Sequence, residues 1–290
     1  MSRILKSSLR LLTGSLILLA FLAEAAELPP PSIGVSPSRL ELSINGDVGT
    51  GTATVLNLSD RDIYVKTDVA NFDLDEQNEF RELPTEPGSL PTAIMLNPKE
   101  FTVPANSSQT VRFAIMPQRL KGGPGEYRAM LFFSEVVDTS LSAVKVQFRL
   151  GMPIYANVGN APSAAIVHDV AYREDGNVLA MDLSATGGAQ VMPSGFYLWW
   201  PEADYPSDKR AISRVRDLAK NPAKKPPEGT VGGMIRSKPV FPGARRTVAS
   251  KLVAPPADDN YKLVYVLEAG GQSVERVLDA PTRMLIVDSE

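Results

Sequence analysis

Ala143-Val144-Lys145-Val146-Gln147-Phe148-Arg149-Leu150-Gly151-Met152-Pro153-Ile154-Tyr155 alternates along its whole length. Val144, Val146, Phe148, Leu150, Met152 and Ile154 fall on one side, and the polar or small residues between them on the other. A period of two is the mark of a β-strand with one apolar face. At ~3.3 Å per residue, Val144 to Ile154 spans roughly 35 Å, about twice a typical strand. Pro153 has no N–H to give to a ladder, which places it on an edge strand or at a strand end. A long apolar edge strand templates aggregation unless it is covered or handed to a partner. The expectation here is donation to a partner. The competing reading is that the stripe faces its own sandwich core.

Upstream, short strand signals recur with turns between them. Ile33 to Ile44 is broken at Pro37 and reads as an edge strand that switches or bends early. Asn45-Gly46-Asp47 is turn chemistry, followed by strands at Thr52 to Leu58 and Ile63 to Val69. Asn71 to Pro91 is acidic and proline-bearing and reads as loop. Further strands are expected at Ile94 to Leu96, Phe101 to Val103, Gln109 to Met116 and Glu126 to Val137, the last of them central. About seven strands spaced about 8–12 residues apart indicate an immunoglobulin-like sandwich.

Asn157 to Pro162 reads as a linker, and a second β domain begins near Ser163. Its strands are expected at Ala165 to Tyr172, Val178 to Ser184, Phe196 to Trp200, Arg246 to Val253, Tyr261 to Glu268 and Arg283 to Val287. The pattern lapses between Pro201 and Pro239, an insertion in which two segments stand out. Ser207 to Lys220 reads as a short helix, with Ser207 as N-cap and Ile212, Val215 and Leu218 at helical spacing. Asn221 to Gly233 reads as a Pro/Lys/Gly-rich loop. The expected domains are 26–156 and 157–290, the second carrying the insertion at about 201–239.

Residues 1–25 read as a signal peptide. Arg3, Lys6 and Arg10 precede an apolar run from Leu11 to Leu22, and Ala23-Glu24-Ala25 offers small residues for cleavage. The chain is therefore expected to be exported. It has no cysteine and one histidine, His168, among 290 residues. That excludes cysteine-based chemistry and multi-histidine metal sites. His168 lies in a strand-like run and reads as structural or merely exposed. The net charge of -3 gives no reason to expect nucleic acid. No Walker-type loop or spaced carboxylate pair stands out, so no enzyme activity, cofactor or small-molecule substrate is expected. Trp199-Trp200 reads as core and domain-interface packing. The cations Lys209, Arg210, Arg214, Arg216, Lys220, Lys224 and Lys225 read as a solvated face, with an anionic lipid or an outer-membrane partner as the alternative.

Several pieces recur in a familiar order. They are Ser38-Arg39-Leu40-Glu41-Leu42, Asn57-Leu58, Ile63-Tyr64-Val65, Leu96-Asn97-Pro98-Lys99-Glu100-Phe101-Thr102-Val103-Pro104, Gln109-Thr110-Val111-Arg112 and Gly125-Glu126-Tyr127-Arg128, then the long alternating strand. This set resembles the periplasmic pilus chaperones of the chaperone–usher pathway. The Gly-Met-Pro-Ile-Tyr ending is similar to their divergent, archaic branch. The resemblance implies an all-β fold of two immunoglobulin-like sandwiches at an angle with a cleft between them. It implies a periplasmic protein that caps pilus or fimbrial subunits by donor-strand complementation and passes them to an outer-membrane usher. A self-capping oligomer in the absence of cargo is a further implication. Val144, Val146, Phe148 and Leu150 would be the donated side chains, worth roughly 6–12 kcal/mol gross. The family anchors the subunit's C-terminal carboxylate with an arginine on the first strand and a lysine on the long strand. Arg39 matches the first. Met152 stands where the lysine would be, and Arg149 is the nearest long-strand cation. The competing class is an exported two-sandwich scaffold or adhesion protein with no donated strand.

Overall fold

The computed structural model describes residues 33–136, 147–255 and 260–279. The expected signal peptide, Val144, Val146 and the strand expected at Arg283 to Val287 lie outside the described residues. The fold is all-β, with four sheets paired into two sandwiches. The first two sheets take their strands from 33–158 and the other two from 165–279.

The run that opens the first sandwich does switch sheets. Strand β1 (Ile33–Ser36) pairs antiparallel with β3 (Gly49–Asn57) in one sheet. After Pro37 the chain crosses over, and β2 (Leu40–Ile44) pairs parallel with β10 (Arg149–Val158) in the other. The remaining strands are β4 (Ile63–Leu74), β5 (Phe80–Leu83), β6 (Ile94–Asn97), β7 (Glu100–Val103), β8 (Ser107–Ile115) and β9 (Gly125–Glu135). One sheet runs β1-β3-β8-β6 and the other β2-β10-β9-β4-β5, with β7 also on β4. Alternate residues of facing strands, among them Val55, Val111, Leu131, Phe133, Met152 and Ile154, are fully buried between the sheets. Each such side chain contributes roughly 1.5–3 kcal/mol of transfer free energy.

Asn71 to Pro91 is a correction. Strand β4 continues to Leu74, and β5 pairs back on it from Asn71↔Leu83 to Leu74↔Phe80. The acidic turn between them is stabilised locally, with the Asp75 carboxylate accepting the N–H of Gln77 and of Glu79. A four-residue helix, α1 (Leu90–Ala93), follows and buries Leu90.

The second sandwich has strands β11 (Ala165–Arg173), β12 (Val178–Ala185), β13 (Ser194–Pro201), β14 (Val231–Arg236), β15 (Arg245–Lys251), β16 (Tyr261–Ala269) and β17 (Gln272–Asp279). Its sheets run β11-β12-β15 and β14-β13-β16-β17. The expected loop at Asn221 to Gly233 is corrected at its end, because β14 pairs with β13. Gly232 permits that approach, since a Cβ there would meet the Tyr197 carbonyl oxygen at 2.1 Å. The β17 strand was not anticipated; the Gly270-Gly271 turn feeds it directly back onto β16.

Helix α2 (Asp208–Lys220) forms where the apolar spacing predicts it. Ala211, Val215 and Leu218 are fully buried, and Ile212 packs beside them. Ser207 precedes the helix, but its hydroxyl makes no capping bond. Asp208 in the first turn and Lys220 in the last complement the helix dipole. The helix lies on β13 and β16, covering Phe196, Leu198, Trp200, Val264 and Val266. The alternate residues Tyr197, Trp199, Leu263 and Tyr265 face the other way, into the sandwich. Both tryptophans are therefore spent inside the second sandwich and its helix, not at a domain interface. Trp199 Nε1 donates to the Val253 carbonyl at 2.8 Å and Trp200 Nε1 to that of Asp204 at 3.1 Å.

Candidate partner-binding edge and cationic junction

Strand β10 lies beside β9 for its whole length, in unbroken register from Arg149↔Ser134 to Val158↔Gly125. On its other side β2 covers only Ile154 to Val158. Arg149 to Pro153 are thus bare along one main-chain side among the described residues. Pro153 sits where the cover ends, one residue before Ile154, as its missing N–H requires.

The apolar stripe divides at the same place. Met152 and Ile154 are fully buried in their own sandwich core. Leu150 lies opposite Phe133 and is half-buried. Phe148 precedes the strand, is half-buried and packs against the core. Its carbonyl accepts the N–H of Glu135 at 3.1 Å.

The opposite face of β10 carries Arg149, Gly151, Pro153 and Tyr155. Arg149 Nη1 donates to the Glu82 carboxylate at 2.7 Å, and Nη2 reaches Asp68 at 3.4 Å. The bond to Glu82 raises its pKa. Its guanidinium carbon stands 3.3 Å from the Phe132 ring centroid. Gly151 leaves room for this packing, because a Cβ there would lie 2.9 Å from Met130 Sδ.

Tyr155 is buried against Phe72 and Phe241, with ring centroids 6.1 and 6.3 Å away. Burial pushes its phenol up to about 12. Arg39 stacks on it, 4.2 Å from the ring centroid. Arg39 Nε donates to Glu41 at 2.7 Å, and Nη1 points at Met192 Sδ at 3.4 Å. Arg128 is directly across from Tyr155 on β9. It lies 4.0 Å over the Phe241 ring, donates to the Phe72 carbonyl at 3.2 Å and stands 3.5 Å from Asp73. Burial lowers the pKa of Arg128, and Asp73 opposes that shift.

The two arginines expected to act together do not converge. Arg149 and Tyr155 are six residues apart, about 20 Å along a strand, and Arg39 is at the Tyr155 end. No bulge intervenes, and Met152, at the position of the family's lysine, points into the core. The cation that does share the Tyr155 end with Arg39 is Arg128. Its signal was present in Gly125-Glu126-Tyr127-Arg128, but placing it opposite Tyr155 needs the register of β9 on β10.

The same end of the first sandwich meets the second. Glu126 N–H donates to the Gly188 carbonyl at 2.9 Å, and its carboxylate accepts the Gln190 N–H at 3.2 Å. Burial raises the Glu126 pKa. Arg246 donates to the carbonyls of Leu74 and Asp75. Lys238 Nζ donates to the Asn78 carbonyl at 2.6 Å and pairs with Glu79 at 2.7 Å. Asn78 Nδ2 donates to the Thr247 carbonyl at 2.9 Å. The β4–β5 hairpin, read from sequence as loop, therefore straps the two sandwiches together.

His168 is exposed, and its Nε2 lies 2.8 Å from Ser184 Oγ. Among the described residues no group of His, Cys, Asp and Glu side chains could hold a metal ion. No helix among them is long and apolar enough to cross a membrane.

No family model matches the chain, and no curated protein matches it. Solved structures similar to it include several fimbrial chaperones. The class 5 fimbriae chaperone CfaA is 12% identical with a TM-score of 0.44, over 86% of this chain and 99% of that one. The YadV chaperone is 10% identical with a TM-score of 0.44, over 86% and 99%. A structure of the CsuC–CsuE chaperone–tip subunit complex from the archaic Csu pili of Acinetobacter baumannii gives 12% identity and a TM-score of 0.43, over 85% and 97%.

Proposed function

We propose that this is an exported, non-enzymatic chaperone that captures an incomplete β-sandwich subunit by strand addition and carries it to an outer-membrane usher. One observation supports the reading: among the described residues, β10 has a partner on both sides at Ile154 to Val158 and on one side only at Arg149 to Pro153. An unpaired edge offers main-chain donors and acceptors for affinity, and alternate side chains for specificity. Leu150 is the side chain best placed to leave its own core for a partner's pocket. Phe148, and Val146 and Val144 in the sequence before it, continue the same apolar period.

Arg39 and Arg128 on either side of Tyr155 would receive an anionic chain end. Both touch residues of the second sandwich, Met192 and Phe241, where partial burial strengthens a charge-assisted hydrogen bond. Arg149, committed to Glu82 and Asp68, would serve instead to hold the outer face of the donor strand. Periplasmic residence and the domain limits at 26–156 and 157–290 belong to the same proposal.

The test is co-purification from the periplasm with tagged wild type and Leu150→Glu, and thermal melts of both. A small subunit-like protein should accompany wild type and be lost with Leu150→Glu, whose melting temperature should stay within a few degrees. Leu150 is chosen over Phe148 because Phe148 packs on the core, where a carboxylate would unfold the protein for its own reasons. If wild type brings down nothing, the protein is an envelope scaffold with a merely short edge.

A further inference from the structure

The side of helix α2 turned away from the sandwich carries charge that the fold does not use. Ala211, Val215 and Leu218 define the buried stripe. At 100° per residue, the ridge directly opposite is Lys209, Ser213, Arg216 and Lys220, with Arg210 flanking it. All five are exposed; Asp217 is the acid on this side, lying between the ridge and Arg210. Lys209 to Lys220 covers about 16 Å of helix. Lys224 and Lys225 follow in the next loop, which Arg214 ties to the helix through the Lys225 carbonyl at 3.1 Å.

Internal ion pairs account for only part of this. Arg216 is bidentate on Glu275 at 2.6 and 2.8 Å. Arg214 and Lys224 share Asp217 at 3.3 and 2.8 Å. Asp208 takes a hydrogen bond from Tyr205 at 2.9 Å. Asp217 and Glu275 are thus paired within the protein, whereas Asp204, Asp208 and Glu228 have no ion-pair partner among the described residues. Lys209, Arg210, Lys220 and Lys225 have no ion-pair partner among the described residues. The helix needs none of these four for its packing, which rests on the opposite stripe.

We infer that Lys209 and Lys220 on the ridge, with Arg210 flanking it and Lys225 in the loop that follows, dock on an anionic lipid surface. The helix surface is convex, and three of these four free cations are lysines, flexible and strongly hydrated point charges. A convex array of mobile ammonium groups suits a fluid field of headgroup phosphates. It suits a shaped protein partner less well, since that would favour arginine forks and a groove. A few cations near such a surface give weak, reversible attachment that salt removes. This surface is on the sandwich that does not carry β10, and it stands or falls independently of strand donation.

The test is flotation of the protein with vesicles of phosphatidylcholine alone or with about 30% phosphatidylglycerol, at low and high salt. Wild type should float with the anionic vesicles at low salt and neither with neutral vesicles nor at high salt. Each of Lys209→Gln, Arg210→Gln, Lys220→Gln and Lys225→Gln should weaken binding about 5-fold, and the four together should abolish it. These variants share the wild-type N-terminal segment, so any contribution from it is common to all. A melting temperature unchanged in the fourfold variant confirms that folding is not the cause. Failure of wild type to float with anionic vesicles, or undiminished flotation of the fourfold variant, overturns the assignment. Binding to polyglutamate but not to the vesicles also overturns it and gives the ridge to an acidic protein.

Discussion

The two sandwiches treat their exposed β-structure in opposite ways. In the second, both faces of β13 and β16 are apolar, and the outer face is sealed by α2. In the first, β10 has a partner on one side only from Arg149 to Pro153 among the described residues. Covering a surface with a helix fixes it for the life of the fold. Leaving an edge open keeps a set of hydrogen-bonding groups available, at the risk of unwanted pairing. The difference separates a face that the fold closes from an edge that it leaves open among the described residues.

Substitutions in the two regions should separate sharply. The largest effect is expected from Val215→Asp, which places a carboxylate under α2 with no partner. It should cost about 4 kcal/mol and lower the melting temperature by about 10 °C. Met152→Ala, in the clamped part of the β10 stripe, should cost about 3 kcal/mol by urea unfolding, since it empties a fully buried site. Met152 and Leu150 are two residues apart on one strand face, so a large loss at Met152 beside a small one from Leu150→Glu would mark the boundary between core and donor. Equal losses would erase that boundary.

Arg246→Ala should cost about 2 kcal/mol, because it strands the carbonyls of Leu74 and Asp75. Its signature is cooperativity: the urea transition should broaden or split as the sandwiches unfold separately. The smallest effect is at Glu126. Its carboxyl pKa is raised by burial in the folded state, so the folded protein holds the proton more tightly than the unfolded chain. The stability this contributes is complete below the unfolded value and lost as pH rises through the folded one. Glu126→Gln should flatten that dependence in a denaturation series across the acid range, while the melt at low pH stays near wild type.

Much of this architecture was legible in the residues. Alternation located most strands of both sandwiches, β5, β14 and β17 excepted, and Pro37 marked the point where the first run changes sheets. The spacing of Val215 and Leu218 gave α2. What escaped had physical reasons. Phe72 and Leu74 are buried with Phe241 of the other sandwich, a contact the sequence does not show, so the acidic run from Asp73 to Glu76 reads as loop. Gly232 of β14 permits close backbone approach to β13, and with Gly233 beside it the strand lacks two of the side chains by which a strand is recognised. The candidate site was legible as a stripe and not as a limit. No pattern within 143–155 says that β2 stops at Ile154, because that limit is set by a strand more than a hundred residues earlier. The pairing of Arg128 with Tyr155 is hidden in the same way.

The sheet crossing at Pro37 makes β2 a ruler. Its five residues begin at Leu40, opposite Ile154, and fix how far the cover extends along β10. Moving the crossing two residues toward the N-terminus would cover the main chain of Pro153 and Met152, and moving it two residues the other way would bare that of Ile154 and Tyr155. The length of open main chain on this strand is thus set by where a single proline bends a different one, so the reach of the edge can change in evolution without any change to the edge itself.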